Sequence, residues 1–151
     1  MTRLRDLLLA LALVLSGGSL VHAQDAGEPI GQVKTVGGTA WVVTGAANVP
    51  AAPGTPVYVG SVLRTGPKAS LGVALRDNTL LSLGGESELA LDEFRFAPAR
   101  NSLGLVARIG RGTLEFVSGM IAKLRPESVQ VKTPTGTLGV RGTRFLVKVD
   151  E

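Results

Sequence analysis

The sequence predicts an all-β domain: many short, mostly antiparallel strands, rolled up or laid out as two sheets, behind an N-terminal export signal. Three observations point there. Glycine is abundant (20 residues) and proline frequent (8), while aromatic residues make up only 4% of the chain, a turn-rich composition. Apolar residues alternate with period two in several runs, and no long amphipathic helical pattern occurs after residue 24. Strand-like runs recur about every 8–12 residues with turn residues between them. That spacing fits a sandwich, a roll or a solenoid-like stack equally well.

The first element is a targeting segment, residues 1–23. Arg3 and Arg5 form a positive start, Leu7–Leu15 is almost pure Leu, Ala and Val, and Val21-His22-Ala23 is a small-residue cleavage site. Even stretched to Val21, the apolar run falls short of the roughly 20 residues that span a bilayer. Cleavage after Ala23 is therefore expected rather than an uncleaved anchor. No cysteine follows the apolar run, so no lipid anchor is expected. The product would be periplasmic or secreted, with no transmembrane span once the signal is removed. Residues 24–29 form a short polar leader, and the β domain is expected over 30–151.

Along that domain, Thr39–Thr44 is β-branched and aromatic and predicts a strand. Gly45–Pro56 carries three prolines and predicts a loop. Val57–Thr65 predicts a bent strand or a short strand pair. Leu71, Val73 and Leu75 alternate, Asp77-Asn78 turns the chain, and Leu81 and Leu83 alternate again, which is the clearest hairpin signal. Gly84-Gly85 makes another turn, and Leu89 and Leu91 a short strand. Asp92–Ser102, with mixed charges and Pro98, predicts a surface excursion. Leu103–Ile109, Thr113–Val117 and Met120–Leu124 predict further short strands, the last alternatively a helical turn. Val129, Val131 and Thr133 alternate ahead of the final segment.

The chemistry open to the domain is narrow. The only histidine is His22, and there is no cysteine. After the signal, Ser-His-Asp catalysis, cysteine nucleophiles and zinc sites of the usual ligands are excluded. Carboxylates remain. Glu86 and Glu88, two apart, share a strand face, but Ser87, Leu89 and Leu91 claim the apolar one, leaving both on the solvated face. The expectation is a non-enzymatic protein with no cofactor and no metal; a carboxylate-dependent hydrolase is the least favoured reading. Asp77 is expected to end its hairpin by bonding its own backbone. Trp41 and Tyr58 are candidate glycan contacts, although a lone Trp in a V-V-T context more often joins the core.

Charge is uneven. From Arg108 to Lys148, eight Lys or Arg face two acids, Glu115 and Glu127; from Gln24 to Ala107, six face seven. A basic C-terminal half attracts an anionic partner such as lipopolysaccharide, an acidic glycan or an acidic protein face. With so few aromatic residues to stack bases, nucleic acid is not expected.

The stretch Val131–Val149 reads V-K-T-P-T-G-T-L-G-V-R-G-T-R-F-L-V-K-V. Glycines at 136, 139 and 142 behind Pro134 predict a tightly bent connection. Phe145, Val147 and Val149 then alternate with Arg144, Leu146 and Lys148, a strand with one buried face. T-P-x-G-x-x-G-V-R-G-T-x-F resembles the signature of the FecR-type periplasmic domain. Val57–Gly66, Ser70–Leu83 and Gly110–Leu114 are similar to earlier segments of that family, in order, so the resemblance runs from about Ile30 to Val149. Two departures are visible: Ser61 stands where the family usually has Asp, and Asn78 where it usually has Gly. The motif residues Thr133, Pro134, Gly136, Gly139, Val140, Arg141, Gly142, Thr143 and Phe145 are thereby singled out as structural or partner-binding. Arg141 is expected to be pinned to backbone carbonyls or to a buried carboxylate in a crowded bend.

The resemblance implies an exported interaction or scaffold module linked to envelope or iron-transport signalling. In that family the domain is often the exported part of a membrane-bound regulator of a sigma factor, with an outer-membrane receptor upstream. This chain shows no cytoplasmic domain or receptor-facing extension, so a stand-alone role with an envelope protein as partner is expected. Binding of peptidoglycan or exopolysaccharide is the alternative. The chain stops just after the motif strand; if the family's fold continues with further strands, the expectation is that this copy is trimmed or completes its sheet edge with a partner strand.

Overall fold

The computed structural model describes residues 27–150; the signal segment and the first half of the polar leader, residues 24–26, lie outside the described residues. The first half of the chain makes β1 (Gly31–Gly37), β2 (Ala40–Thr44), β3 (Ala47–Pro50), β4 (Pro56–Val57), β5 (Val62–Thr65), β6 (Ser70–Leu75) and β7 (Leu80–Leu83). Then come the long β8 (Glu88–Ala97) and β9 (Ser102–Val117) and a short helix, α1 (Met120–Leu124). The chain ends in β10 (Val129–Thr133), β11 (Gly136–Gly139) and β12 (Arg144–Val149).

These strands form one hydrogen-bonded network curled into two sheets that share β9. The first sheet runs β4-β1-β6-β7-β9-β12 and the second β3-β2-β5-β8-β9-β10-β11. The β9–β10 pair is parallel and every other pairing antiparallel. The predicted class, all-β with mostly antiparallel strands rolled up or laid out as two sheets, is the observed one.

β9 is the spine. Its first half pairs with β8 on one side and β10 on the other, and its second half with β7 and β12. At 16 residues it would span about 50 Å if straight. It changes sheets around Gly112, at φ +86°, where a Cβ would lie 2.5 Å from Ser87 Cα. The buried Ser87 Oγ accepts the Thr113 N–H at 3.0 Å and fixes this crossing. Between the sheets, Leu63, Leu71, Leu81, Leu89, Leu91, Leu105, Ile109, Leu114 and Phe116 are almost fully buried. Period-two alternation supplies them, since successive side chains point to opposite faces. The hairpin across Asp77-Asn78 behaves as expected: Leu71, Val73, Leu75, Leu81 and Leu83 are all buried, and Asn78 takes the left-handed conformation at φ +67°.

Several expectations are corrected. β1 lies in a segment for which no strand was expected. The loop expected over Gly45–Pro56 contains β3, reached by a two-residue turn in which Gly45 has φ +58°. β3 is a fully exposed edge strand ending at Pro50, so no burial pattern betrays it. The surface excursion expected over Asp92–Ser102 is instead the second half of β8, a three-residue 3-10 turn at Pro98–Arg100, and the start of β9. There the charges line the outer face while Phe94 points into the core. Arg108 pairs with Asp92 at 3.0 Å and Arg95 with Glu93 at 2.7 Å. A register shift between Leu91 and Glu93 leaves Asp92 as an extra residue, which hides the alternation. The two strands expected over 103–117 are one, and Met120–Leu124 is the helical alternative rather than a strand.

The buried Asp77 explains α1. Its Oδ1 accepts the Thr79 N–H at 3.1 Å, and its Oδ2 accepts the Thr79 hydroxyl at 2.8 Å and the Ile121 N–H at 3.1 Å. Its backbone carbonyl accepts the Met120 N–H at 2.7 Å. The residue thus makes its expected local turn and also caps, from 44 residues away, a helix with no capping side chain of its own. Gly119 lets the chain pass, since a Cβ there would lie 2.7 Å from the Asn78 carbonyl carbon.

Candidate functional site

The motif segment folds as the β10–β11 hairpin, a connection over 140–143, and β12. Thr133 pairs with Gly136 across the two-residue turn Pro134-Thr135. Pro134 presets the turn, and the Thr133 hydroxyl closes it by accepting the Gly136 N–H at 3.2 Å. Val140 is the one motif residue sunk fully into the core. Phe145 is half-buried and stacks on Phe116 with ring centroids 5.0 Å apart. Ser118 holds the connection from below: its N–H bonds the Thr143 carbonyl at 2.8 Å and its hydroxyl the Gly142 carbonyl at 3.0 Å. β12 alternates as predicted, with Val147 buried and Arg144, Leu146 and Lys148 exposed.

The expected crowding is absent. Nothing lies within 4 Å of where a Cβ would sit on Gly136, Gly139 or Gly142. Only Gly142, at φ +92°, needs glycine for its backbone conformation. Nor is Arg141 pinned: it is exposed, and no carboxylate or carbonyl holds its guanidinium among the described residues. Glycines at this spacing fit a crowded bend and an open strand alike, and here they lie along an exposed strand and its exit.

Gly139, Val140, Arg141 and Gly142 form one side of a groove of about 750 Å³. The other side comes from Ala122 on α1 and from the turn at Pro126-Glu127, with Val129 and Gln130 of β10 on the floor. Its lining is mostly apolar, with Arg141 and Glu127 as the charged groups. A second cavity of about 430 Å³ lies where Thr133 and Pro134 meet Glu88, Ala90 and Arg108 on the outer face of the second sheet. Asp92, accepting hydrogen bonds from Arg108 at 3.0 and 3.1 Å, raises that guanidinium's pKa above its ordinary value. Among the described residues, β11 pairs with β10 alone and β12 with β9 alone, so both motif strands present an unpaired outer edge.

Trp41 departs from its core reading. It is half-buried on the outer face of β2, between the buried Ala40 and Val42, and sits opposite Pro50 on one side and Arg64 on the other. Tyr58 lies in the turn after β4, where its N–H bonds Ser61 Oγ at 2.9 Å. No ring contact joins the two, so the structure does not gather them into one aromatic platform. Ser61 is fully buried and shares a 2.6 Å hydrogen bond with Thr44. An ionised Asp there would be buried among hydroxyls and leucines. Glu86 sits in a turn at φ +52°, and Glu88 is occupied by Arg64 at 3.1 Å, so this pair does not form a free carboxylate dyad.

No helix among the described residues is long and apolar enough to cross a membrane. Searches of the curated proteins and of the solved structures found no match. A family described as FecR protein matches residues 61–151, which hold β5 to β12 with the groove and the whole motif. By that match, the chain belongs to the FecR family.

Proposed function

We propose that this protein is an exported, non-enzymatic interaction or scaffold module of the periplasmic FecR class, whose partner is another protein of the cell envelope. The observation that carries this reading is the state of Arg141. It stands exposed, without a partner among the described residues, on the rim of the groove of about 750 Å³, within the segment that carries the family resemblance. A guanidinium in that position has five donors in a planar fork, suited to a partner's carboxylate. The open edges of β11 and β12 beside it offer backbone donors and acceptors to an added strand. Signalling to a sigma factor, with an iron-transport receptor upstream, is the role this class suggests.

Capture by the tagged protein from crosslinked envelopes, followed by mass spectrometry and glycan analysis, tests the proposal. A stoichiometric envelope protein crosslinked through the 133–145 segment supports it. A second reading, glycan binding, is favoured by the outward placement of Trp41 beside Arg64. Enriched peptidoglycan or exopolysaccharide without a stoichiometric protein, lost in Trp41→Ala, would replace the first reading with the second.

A further inference from the structure

Among the described residues, β3, β4, β11 and β12 lie at the outer edges of the two sheets. Natural sheets blunt such edges with proline, charge or brevity. β3 ends at Pro50, β4 is two residues long and starts at Pro56, and β12 carries Arg144 and Lys148. β11, Gly-Thr-Leu-Gly, has neither proline nor charge. Its free backbone groups follow from the hairpin. The two-residue turn makes Thr133 and Gly136 a hydrogen-bonded pair, and such pairs alternate along an antiparallel ladder. Val131 and Leu138 are the next such pair. Thr137 and Gly139 therefore turn their N–H and C=O groups away from β10, to the free edge.

Both sides of that edge are hollow. Leu138 shares a face with the buried Val131, yet it is 41% exposed, because no strand lies beyond it. Beside it, between β11 and β12, is a cavity of about 340 Å³ bordered by Pro134, Val147 and Val149. Thr137, Gly139 and Arg141, in steps of two, border the groove of about 750 Å³. A strand laid along β11 would send alternate side chains to the cavity and to the groove, the arrangement by which an added strand gains specificity.

The charges around the edge decide what that strand carries. Arg144 is paired with Glu115, Lys148 lies 3.2 Å from Asp150, and Glu127 lies 3.9 Å from Arg125. Arg141 and Lys132, the latter opposite Thr137, are exposed and have no partner among the described residues. Two cations are left over, and acids in the added strand complement them. A second copy of the chain cannot supply those acids from the same strands, since none occurs from Val129 to Val149.

We propose that β11 accepts along its free edge an extended segment of the partner in which acidic and apolar residues alternate. The apolar side chains enter the cavity beside Leu138, and the acidic ones reach Arg141 and Lys132. This rests on the protein-binding reading above and assigns it one edge and one partner chemistry.

A labelled, end-blocked peptide, T-E-V-E-V-E-V-T, titrated into the purified protein and followed by fluorescence anisotropy, tests the assignment. It should bind saturably. Lysine in place of glutamate, or the same residues in blocks as T-E-E-E-V-V-V-T, should bind poorly. Arg141→Gln should weaken binding about tenfold and Lys132→Gln about twofold. Methylating alternate peptide amides should abolish binding in one phase and spare it in the other, since only one phase faces β11. No binding of the first peptide, equal effects of the two methylation phases, or binding unchanged in Arg141→Gln would overturn the proposal. The chain has no cysteine, so a benzophenone on Leu138→Cys, or on Val49→Cys of β3 for comparison, occupies a unique site in cell envelopes. The expected result is a protein crosslinked from position 138 and displaced by the peptide. A protein crosslinked from 49 and not from 138 would overturn the edge assignment and leave the protein-binding reading standing. No protein from either position would overturn both.

Discussion

Removing the Asp77 carboxyl should cost more stability than any other single change to a polar residue in this fold. Three donors converge on it, the Thr79 and Ile121 N–H groups and the Thr79 hydroxyl, and both Thr79 and Ile121 are fully buried. In Asp77→Ala the hydroxyl can rotate, but the two N–H groups have no water to turn to. Each buried donor left unmade costs about 1–3 kcal/mol. Summed, with the lost restraint on the start of α1, this gives about 3–5 kcal/mol. For a domain of this size it lowers the melting temperature by about 10–20 °C. Asp77→Asn is the informative partner. Its one oxygen can serve either Oδ1 or Oδ2, so its NH2 always faces at least one N–H, and the cost should fall to about 1–3 kcal/mol. Thr79→Val removes only the hydroxyl and should cost least of the three. Urea unfolding of the four proteins measures all of this. Asp77→Ala within about 0.5 kcal/mol of the parent would refute the idea that this carboxyl joins the β6–β7 hairpin to α1. Because α1 contributes Ala122 to the groove, the same variant should also weaken partner capture, in step with its loss of stability.

Other changes separate crowded glycines from free ones. Gly119→Ala places a methyl against the Asp77–Thr79 backbone and should cost about 1–3 kcal/mol or prevent folding, read by thermal unfolding and soluble yield. Gly136→Ala and Gly139→Ala enter open space and should stay within about 0.5 kcal/mol of the parent. Gly142→Ala also meets no atom, but its φ of +92° should cost about 1–2 kcal/mol, so it should unfold earlier than the other two in the same assay.

The parts of this fold that were legible in the sequence are those where alternation is uninterrupted. Leu71–Leu83 and Phe145–Val149 show their buried faces directly, because one side of each strand meets the core and the other meets water. β3 was not legible: as an exposed edge strand it buries nothing and carries no pattern. The second half of β8 was obscured by the extra residue at Asp92 and by ion pairs on its outer face, which resemble the charges of a loop. Asp77 showed its local turn, but its reach to Ile121 is a long-range contact that no local pattern encodes. At the candidate site, the motif residues were identifiable and their environment was not. Glycine spacing reads the same for a crowded bend and for an open strand, and only the positions of neighbouring atoms distinguish them. Trp41 shows the converse: its strand was predicted and its face was not, since β2 buries Ala40 and Val42 and turns the larger ring outward.

The most direct test of the central claim, that the motif presents a free recognition surface rather than a structural clamp, is to measure thermal unfolding and envelope-partner capture side by side for Arg141→Ala. An exposed guanidinium without a partner leaves stability within about 0.5 kcal/mol when it is removed. The expected result is an unchanged melting temperature with capture lost. A fall in stability of several kcal/mol, or capture that persists unchanged, would contradict it.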